Sequence, residues 1–392
     1  LASAVAHRHV HARVDWNQLS SEEQRDAFLK MRKRVRKETP ESLREEHLDY
    51  ALEVLSRELR LEKKDLAERI NSGKKRIVVM KKIREDQASR IESELKERYI
   101  QGFSFERSQS RVYPMAELAP HLIGIRDHLG IGRSGIEKEM DSYLRGRPGE
   151  RVLKRDANGQ VRLTEAASII PPKFGKHVQL TLDPGIQAIA EQELQLAMDH
   201  TSADRGSVII IDPKTGDVLA MATRPHFDLN TRTEFQKNGR NFSVQDQIEL
   251  GSVMKVIGMT AALDVGVATR QSMVNCGWGK IIRGNITVKD HHPYGDLTFD
   301  QVLMKSSNPG AFLFAEKVGS KRFYTTLEAF GFGKRTGFPF PGEASGMIAN
   351  RSNLRTFASA TYGYGVSASP LQVAMAYAAI ANDGVLMKPR LI

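Results

Sequence analysis

The run Val256-Ile257-Gly258-Met259-Thr260-Ala261-Ala262-Leu263 reads as a helix that is apolar on nearly every side. Such a helix cannot lie on a surface; other elements must cover it all round. The chain therefore has to build a sizeable layered domain about this segment. Its 392 residues, 40% apolar and 27% charged, are enough for two or three domains and exclude wholesale disorder. No window approaches the roughly 18 to 20 uninterrupted apolar residues that span a bilayer, and the first residues lack a signal-peptide plan. The single cysteine, Cys276, excludes an internal disulfide and a multi-cysteine zinc site. It is compatible with an oxidising compartment.

Charge is unevenly placed. Residues 1–180 hold 37 Lys+Arg against 28 Asp+Glu, and residues 181–392 hold 21 against 19. The basic first half carries no aromatic-interleaved basic motif, zinc pattern or recognition helix, so the reading is a mixed-charge solvated face rather than a nucleic-acid surface. An anionic membrane face or cell-wall polymer is a second possible neighbour.

Residues 4–14 alternate as a strand would, with His7, His9 and His11 on one face and no further ligand to complete a metal site. Residues 42–70 read as a charged surface helix or helix pair, Arg76–Met80 as a strand and 85–99 as another charged helix. Glycine-punctuated short elements follow from Arg111 to Arg162, with a helix over Ile136–Leu144. Pro171-Pro172 and Gly175 mark a boundary, giving domains 1–175 and 176–392. The second opens with a strand over His177–Leu182. A helix follows, capped by Asp183 with Pro184 at its first position, and then a hairpin pairing Ser207–Asp212 with Asp217–Thr223 through Pro213-Lys214-Thr215-Gly216. The remainder is mainly helical. The fold class is α+β, with a helical block and an antiparallel sheet not completed within the chain.

Chemistry concentrates where the buried helix starts. Ser252 and Lys255 stand three residues apart, on one face of its first turn. Partial burial near the positive helix end would lower the lysine pKa, so that the neutral amine could take the serine proton. The Ser252 N–H could also face an oxyanion. Ser-x-x-Lys recurs at Ser72/Lys75 and Ser93/Lys96, but in a polar loop and on a charged helix. The plain alternative for Ser252 is a helix cap followed by a snorkelling lysine. A second cluster, Ser306-Ser307-Asn308, is the chain's single Ser-x-Asn. It reads either as a turn presenting a hydroxyl and a carboxamide to a neighbouring helix start, or as a polar cap for a helix from Gly310 to Val318.

These motifs resemble the Ser-x-x-Lys and Ser-x-Asn elements of the penicillin-binding proteins. The likeness extends to Gly206–Ala222, to Tyr362-Gly363-Tyr364-Gly365 and to Ser369-Pro370-Leu371-Gln372 with Ala376-Tyr377-Ala378-Ala379. Upstream, Arg111-Val112-Tyr113-Pro114, His121-Leu122-Ile123-Gly124, Gly135-Ile136-Glu137 and Arg145–Glu150 are similar to the non-catalytic pedestal of the monofunctional class B members. The run from Pro148 through Asp156-Ala157-Asn158-Gly159 favours the septal, cell-division type. Two features depart from the pattern. The family's Lys-Thr-Gly strand should come several tens of residues after Ala381, beyond Ile392, and Leu250 stands where proline is usual. Lys214-Thr215-Gly216 and Arg335-Thr336-Gly337 are decoys, a hairpin tip and a loop turn.

The resemblance implies a transpeptidase fold behind an elongated α+β pedestal, cut at both ends. It implies a D,D-transpeptidase cross-linking peptidoglycan stem peptides: Ser252 as nucleophile, Lys255 as acylation base, Ser306 as proton relay and Asn308 as a donor-backbone contact. Without the third-motif strand, acylation is expected to be about 100- to 1000-fold slower. The resemblance also implies no metal or organic cofactor, β-lactams as substrate mimics, and a membrane-embedded glycosyltransferase and division proteins as partners. It places the protein at the outer face of the cytoplasmic membrane, anchored by a helix preceding Leu1. Rival readings are a non-catalytic division scaffold and a serine β-lactamase or β-lactam sensor; the pedestal-like first half disfavours the latter.

Overall fold

The computed structural model describes residues 40–72, 77–80, 83–98, 100, 102–105, 111–151, 154–155, 161–162, 169–349 and 353–392. The histidines at 7, 9 and 11 lie outside the described residues. The chain forms two compact units, Leu1–Ser110 and Arg111–Ile392. This cut by compactness differs from the expected division at 175, because Ala119, Leu122 and Ile136 share a core with Val218, Met221 and Leu371 of the second unit.

The first unit contains helices α1 (Pro40–Leu59), α2 (Lys63–Ile70) and α3 (Glu85–Glu97). The expected helical span over 42–70 is thus a pair, parted after Leu59 where Arg60 turns left-handed (φ 54°). Their core is small: Leu52, Val54, Leu55, Leu59, Leu66, Ile91 and Leu95. Ile77–Met80 form no strand, contrary to expectation. With no strand beside them among the described residues, they contribute only the partly buried Val79 to this core.

In the second unit the expected helix over 136–144 is two short ones, Gly135–Glu139 and Asp141–Leu144, broken at Met140. The segment 177–182 is not a strand. It runs beside other chain and gives only isolated backbone bonds, the Thr181 N–H donating to Leu391 O and the Asp183 N–H to Leu219 O. Asp183 caps α4 (Pro184–Thr201), its carboxylate accepting from the N–H groups of Gly185 and Ile186. Helix α4 packs on the antiparallel hairpin β1 (Gly206–Ile211) and β2 (Val218–Arg224). Ala190 and Leu194 meet Ala220 and Ala222 there. Gly216 closes the hairpin turn at φ 78°, and a Cβ there would stand 2.4 Å from Lys388 O.

The apolar run forms α5 (Met254–Asp264) and is wrapped as its composition demands. Helices Asn308–Val318, Ser320–Ala329 and Leu354–Thr361 pack round it, with Phe312, Phe323, Tyr324 and Phe357 in edge contacts. Gly258 lets the Phe323 ring close, since a Cβ there would lie 2.8 Å from it. The periodicity reading missed the short strands of this block. They include the hairpin β3 (Lys280–Arg283) and β4 (Ile286–Lys289) and a three-stranded sheet joining Met347–Ile348, Val366–Ala368 and Ile248–Glu249. At two to four residues each, such strands are too short to leave a clear alternation.

Candidate active site

Gly251 adopts a left-handed conformation (φ 54°) and starts a 3-10 turn, Gly251–Val253, that runs directly into α5. Ser252 therefore sits on the turn ahead of the helix rather than in its first α-turn, and its side chain is exposed. Lys255, one residue into α5, is 2% exposed. Its amine donates to Ser252 Oγ at 3.2 Å, to Ser306 Oγ at 2.9 Å and to the Ser306 carbonyl. Three donors thus have three acceptors, so the amine is fixed between the two hydroxyls. Burial pushes the Lys255 pKa down to about 8, with the Asp290 carboxylate pulling the other way. The snorkelling alternative fails, because this head group points inward.

Helix α6 (Phe299–Met304) and helix α7 (Asn308–Val318) are joined by the Ser306-Ser307-Asn308 corner. Ser306 takes a left-handed conformation (φ 53°), which breaks the helical path and leaves its side chain exposed beside Lys255. Cap and site are divided between neighbouring residues. Ser307, fully buried, caps α7 by accepting from the Gly310 N–H at 3.1 Å. The helix accordingly begins at Asn308 rather than at Gly310, and the flanking Ser306 and Asn308 are spared the capping role. The Asn308 amide nitrogen donates to Lys289 O at 2.9 Å, at the end of β4.

Sequence reasoning missed Asp290. Its two oxygens accept from Ser307 Oγ and from the Asn308 N–H, both at 2.6 Å, so one carboxylate holds the whole corner. It follows β4 in the run Lys289-Asp290-His291-His292, which carries no motif signal, and only tertiary folding brings it to a corner 17 residues on. The other Ser-x-x-Lys serines, Ser72 and Ser93, are exposed in the first unit. Lys214 is also apart, with a side chain 65% exposed and its amine 3.5 Å from Asp383. Arg335-Thr336-Gly337 is a loop whose Thr336 and Gly337 N–H groups donate to the buried Glu343 carboxylate. Among the described residues, no cluster of three or more His, Cys, Asp or Glu side chains could hold a metal ion.

A serine at a helix start, addressed by a buried amine that can deprotonate near neutrality, defines the class of activated-serine acyl-transfer sites in which lysine stands where others use histidine. Comparison with known proteins narrows the class. Residues 206–392 match the penicillin-binding protein transpeptidase domain, and residues 26–180 match the penicillin-binding protein dimerisation domain. The chain belongs to the class B penicillin-binding proteins. It is 35% identical over 303 residues to the probable peptidoglycan D,D-transpeptidase PenA of Neisseria meningitidis, covering 76% of this chain and 52% of that protein. It is 32% identical over 337 residues to the peptidoglycan D,D-transpeptidase FtsI of Escherichia coli, covering 85% and 56%. The crystal structure of penicillin-binding protein 3 from Mycobacterium tuberculosis complexed with aztreonam aligns with a TM-score of 0.63 at 34% identity, over 72% of this chain and 60% of that one. The chain thus spans about half the length of the curated relatives it matches.

Proposed function

We propose that this protein is a peptidoglycan D,D-transpeptidase of septal cell-wall synthesis, with Ser252 as its acylated residue. One observation carries the reading: a single buried amine lies within hydrogen-bond reach of both Ser252 Oγ and Ser306 Oγ. The neutral Lys255 amine takes the Ser252 proton as Oγ attacks the carbonyl of a stem peptide's penultimate D-Ala. The C–N bond to the terminal D-Ala then breaks, and the proton passes from Lys255 through the Ser306 hydroxyl to the leaving amine. An amine of a neighbouring stem peptide attacks the acyl-enzyme and gives up a proton through the Ser306 hydroxyl to Lys255; as the cross-link forms, the C–O bond to Ser252 breaks and Ser252 Oγ takes that proton from Lys255. Asn308 contacts the backbone of the acyl donor. β-Lactams acylate Ser252 as mimics of the donor. The names of the relatives and the two matched domains support the same chemistry. We place the protein at the outer face of the cytoplasmic membrane, beside a glycan-polymerising enzyme and division proteins, with residues 176–392 as the catalytic part and 1–175 as the pedestal. Among the described residues no helix is long and apolar enough to cross a membrane.

The test is covalent labelling of the gene product with a fluorescent penicillin, followed by peptide mapping. The label is expected on Ser252 and absent from a Ser252→Ala variant that still folds by circular dichroism. An adduct on Ser72 or Ser93, or undiminished labelling of Ser252→Ala, would overturn the assignment.

A further inference from the structure

Within the motif, the turn carrying Ser252 is held by the Met254 N–H, which donates to Gly251 O, and by the Lys255 amine on Ser252 Oγ. Gly251 is left-handed, with no atom within 4 Å of the place its Cβ would occupy, and a glycine there retains wide backbone freedom. Ser252 and Val253 are both exposed, so side-chain packing does not fix them. Two braces act from outside the motif. On the N-terminal side, the Gly251 N–H donates to Gly363 O at 3.1 Å. The contact is so close that a Cβ on Gly363 would fall 1.9 Å from Gly251 O. On the C-terminal side, helix α8 (Pro370–Ala381) brings Tyr377 to the turn, and its hydroxyl donates to Val253 O at 2.9 Å. Its neighbours Leu371, Met375 and Ala379 anchor α8 in the core, so the tyrosine reaches the turn from a rigid element.

The geometry points to Tyr377 as a positioning residue for the nucleophile: by holding the carbonyl one residue beyond Ser252, it fixes where Ser252 Oγ stands relative to the Lys255 amine. The inference rests on acylation at Ser252 as proposed above. It follows because attack requires near-contact geometry, in which a misplacement of about 1 Å costs on the order of 100-fold. The bond uses the hydroxyl and not the ring, so Tyr377→Phe removes the brace while keeping the packing.

The experiment measures acylation of the gene product by a fluorescent penicillin in stopped flow, separating the initial binding constant from the acylation rate constant, for the parent, Tyr377→Phe and Tyr377→Ala. Tyr377→Phe should slow the acylation step about tenfold, with initial binding within about twofold, as expected for loss of one hydrogen bond that acts in orientation. The pH of half-maximal rate should stay at the parent's value, since Lys255 is untouched, and Tyr377→Ala should be at least as slow. Tyr377→Phe acylating like the parent, with or without impairment of Tyr377→Ala, would overturn the inference, as would a loss confined to initial binding. If the parent is not acylated at Ser252, the functional proposal falls and this inference with it. A normally acylated parent with an unaffected Tyr377→Phe sinks this inference alone.

Discussion

The protonation of Lys255 sets a quantitative expectation for catalysis. An ordinary lysine near 10.5 is neutral in only about one molecule in 3000 at pH 7, whereas one lowered to about 8 is neutral in about one in ten. Burial thus enlarges the reactive fraction by about 300-fold, against the opposing pull of Asp290. Acylation should then rise about fivefold between pH 7 and pH 8 and level off above about pH 9. The measurement is the rate of Ser252 acylation by a fluorescent penicillin from pH 6 to pH 10. A profile flat across pH 6–9, or one still climbing tenfold per unit at pH 9.5, would refute the reasoning. The same shift bears on stability. The folded pKa lies below the unfolded one, so between about pH 8 and 10.5 the unfolded chain holds more protons and stability rises with pH; below 8 the burial penalty is complete, at about 3 kcal/mol. Lys255→Met removes that penalty with little change of volume. It is expected to stop acylation while leaving the melting temperature at or above the parent's, and Lys255→Met acylating at the parent's rate would refute Lys255 as the base.

Two further outcomes can be measured. Asp290→Asn removes the charge that raises the Lys255 pKa, so the inflection of the pH–rate profile should move to lower pH; an unmoved inflection would show that the carboxylate is not felt there. His121 is buried with Nε2 2.8 Å from Asn238 O, and desolvation pushes its pKa down to about 4. Its folded pKa lies below its ordinary value, so stability should fall by up to about 3 kcal/mol as pH drops from about 6.5 to 4, a slope that His121→Gln should reduce in urea unfolding at fixed pH. Equal slopes in parent and variant would remove His121 from the account.

What the sequence determined by itself was local or compositional. The all-round apolarity of residues 256–263 demanded a wrapped helix, and Phe312, Phe323 and Phe357 supply part of the wrapping. Asp183-Pro184 is a self-contained start signal, because the cap and its two N–H partners lie within three residues. The hairpin about Gly216 is equally local. Ser252 and Lys255 were legible as a pair since three-residue spacing brings them together on any helix start. The apolar run after Ser252 already set this pair apart from the other two Ser-x-x-Lys pairs, but how deeply Lys255 is buried, 2% exposed, was decided by the tertiary structure, because burial depends on what packs over a segment. It alone brought Ser306 to Lys255 from 51 residues away, and Asp290 and Tyr377 to the two motifs from separate elements. It also denied residues 177–182 a strand, since a strand requires a ladder of partners that its own residues cannot specify. Spacing fixes what neighbours along one helix can do; the protonation state of Lys255 and the placement of Ser252 Oγ come from groups remote in the chain.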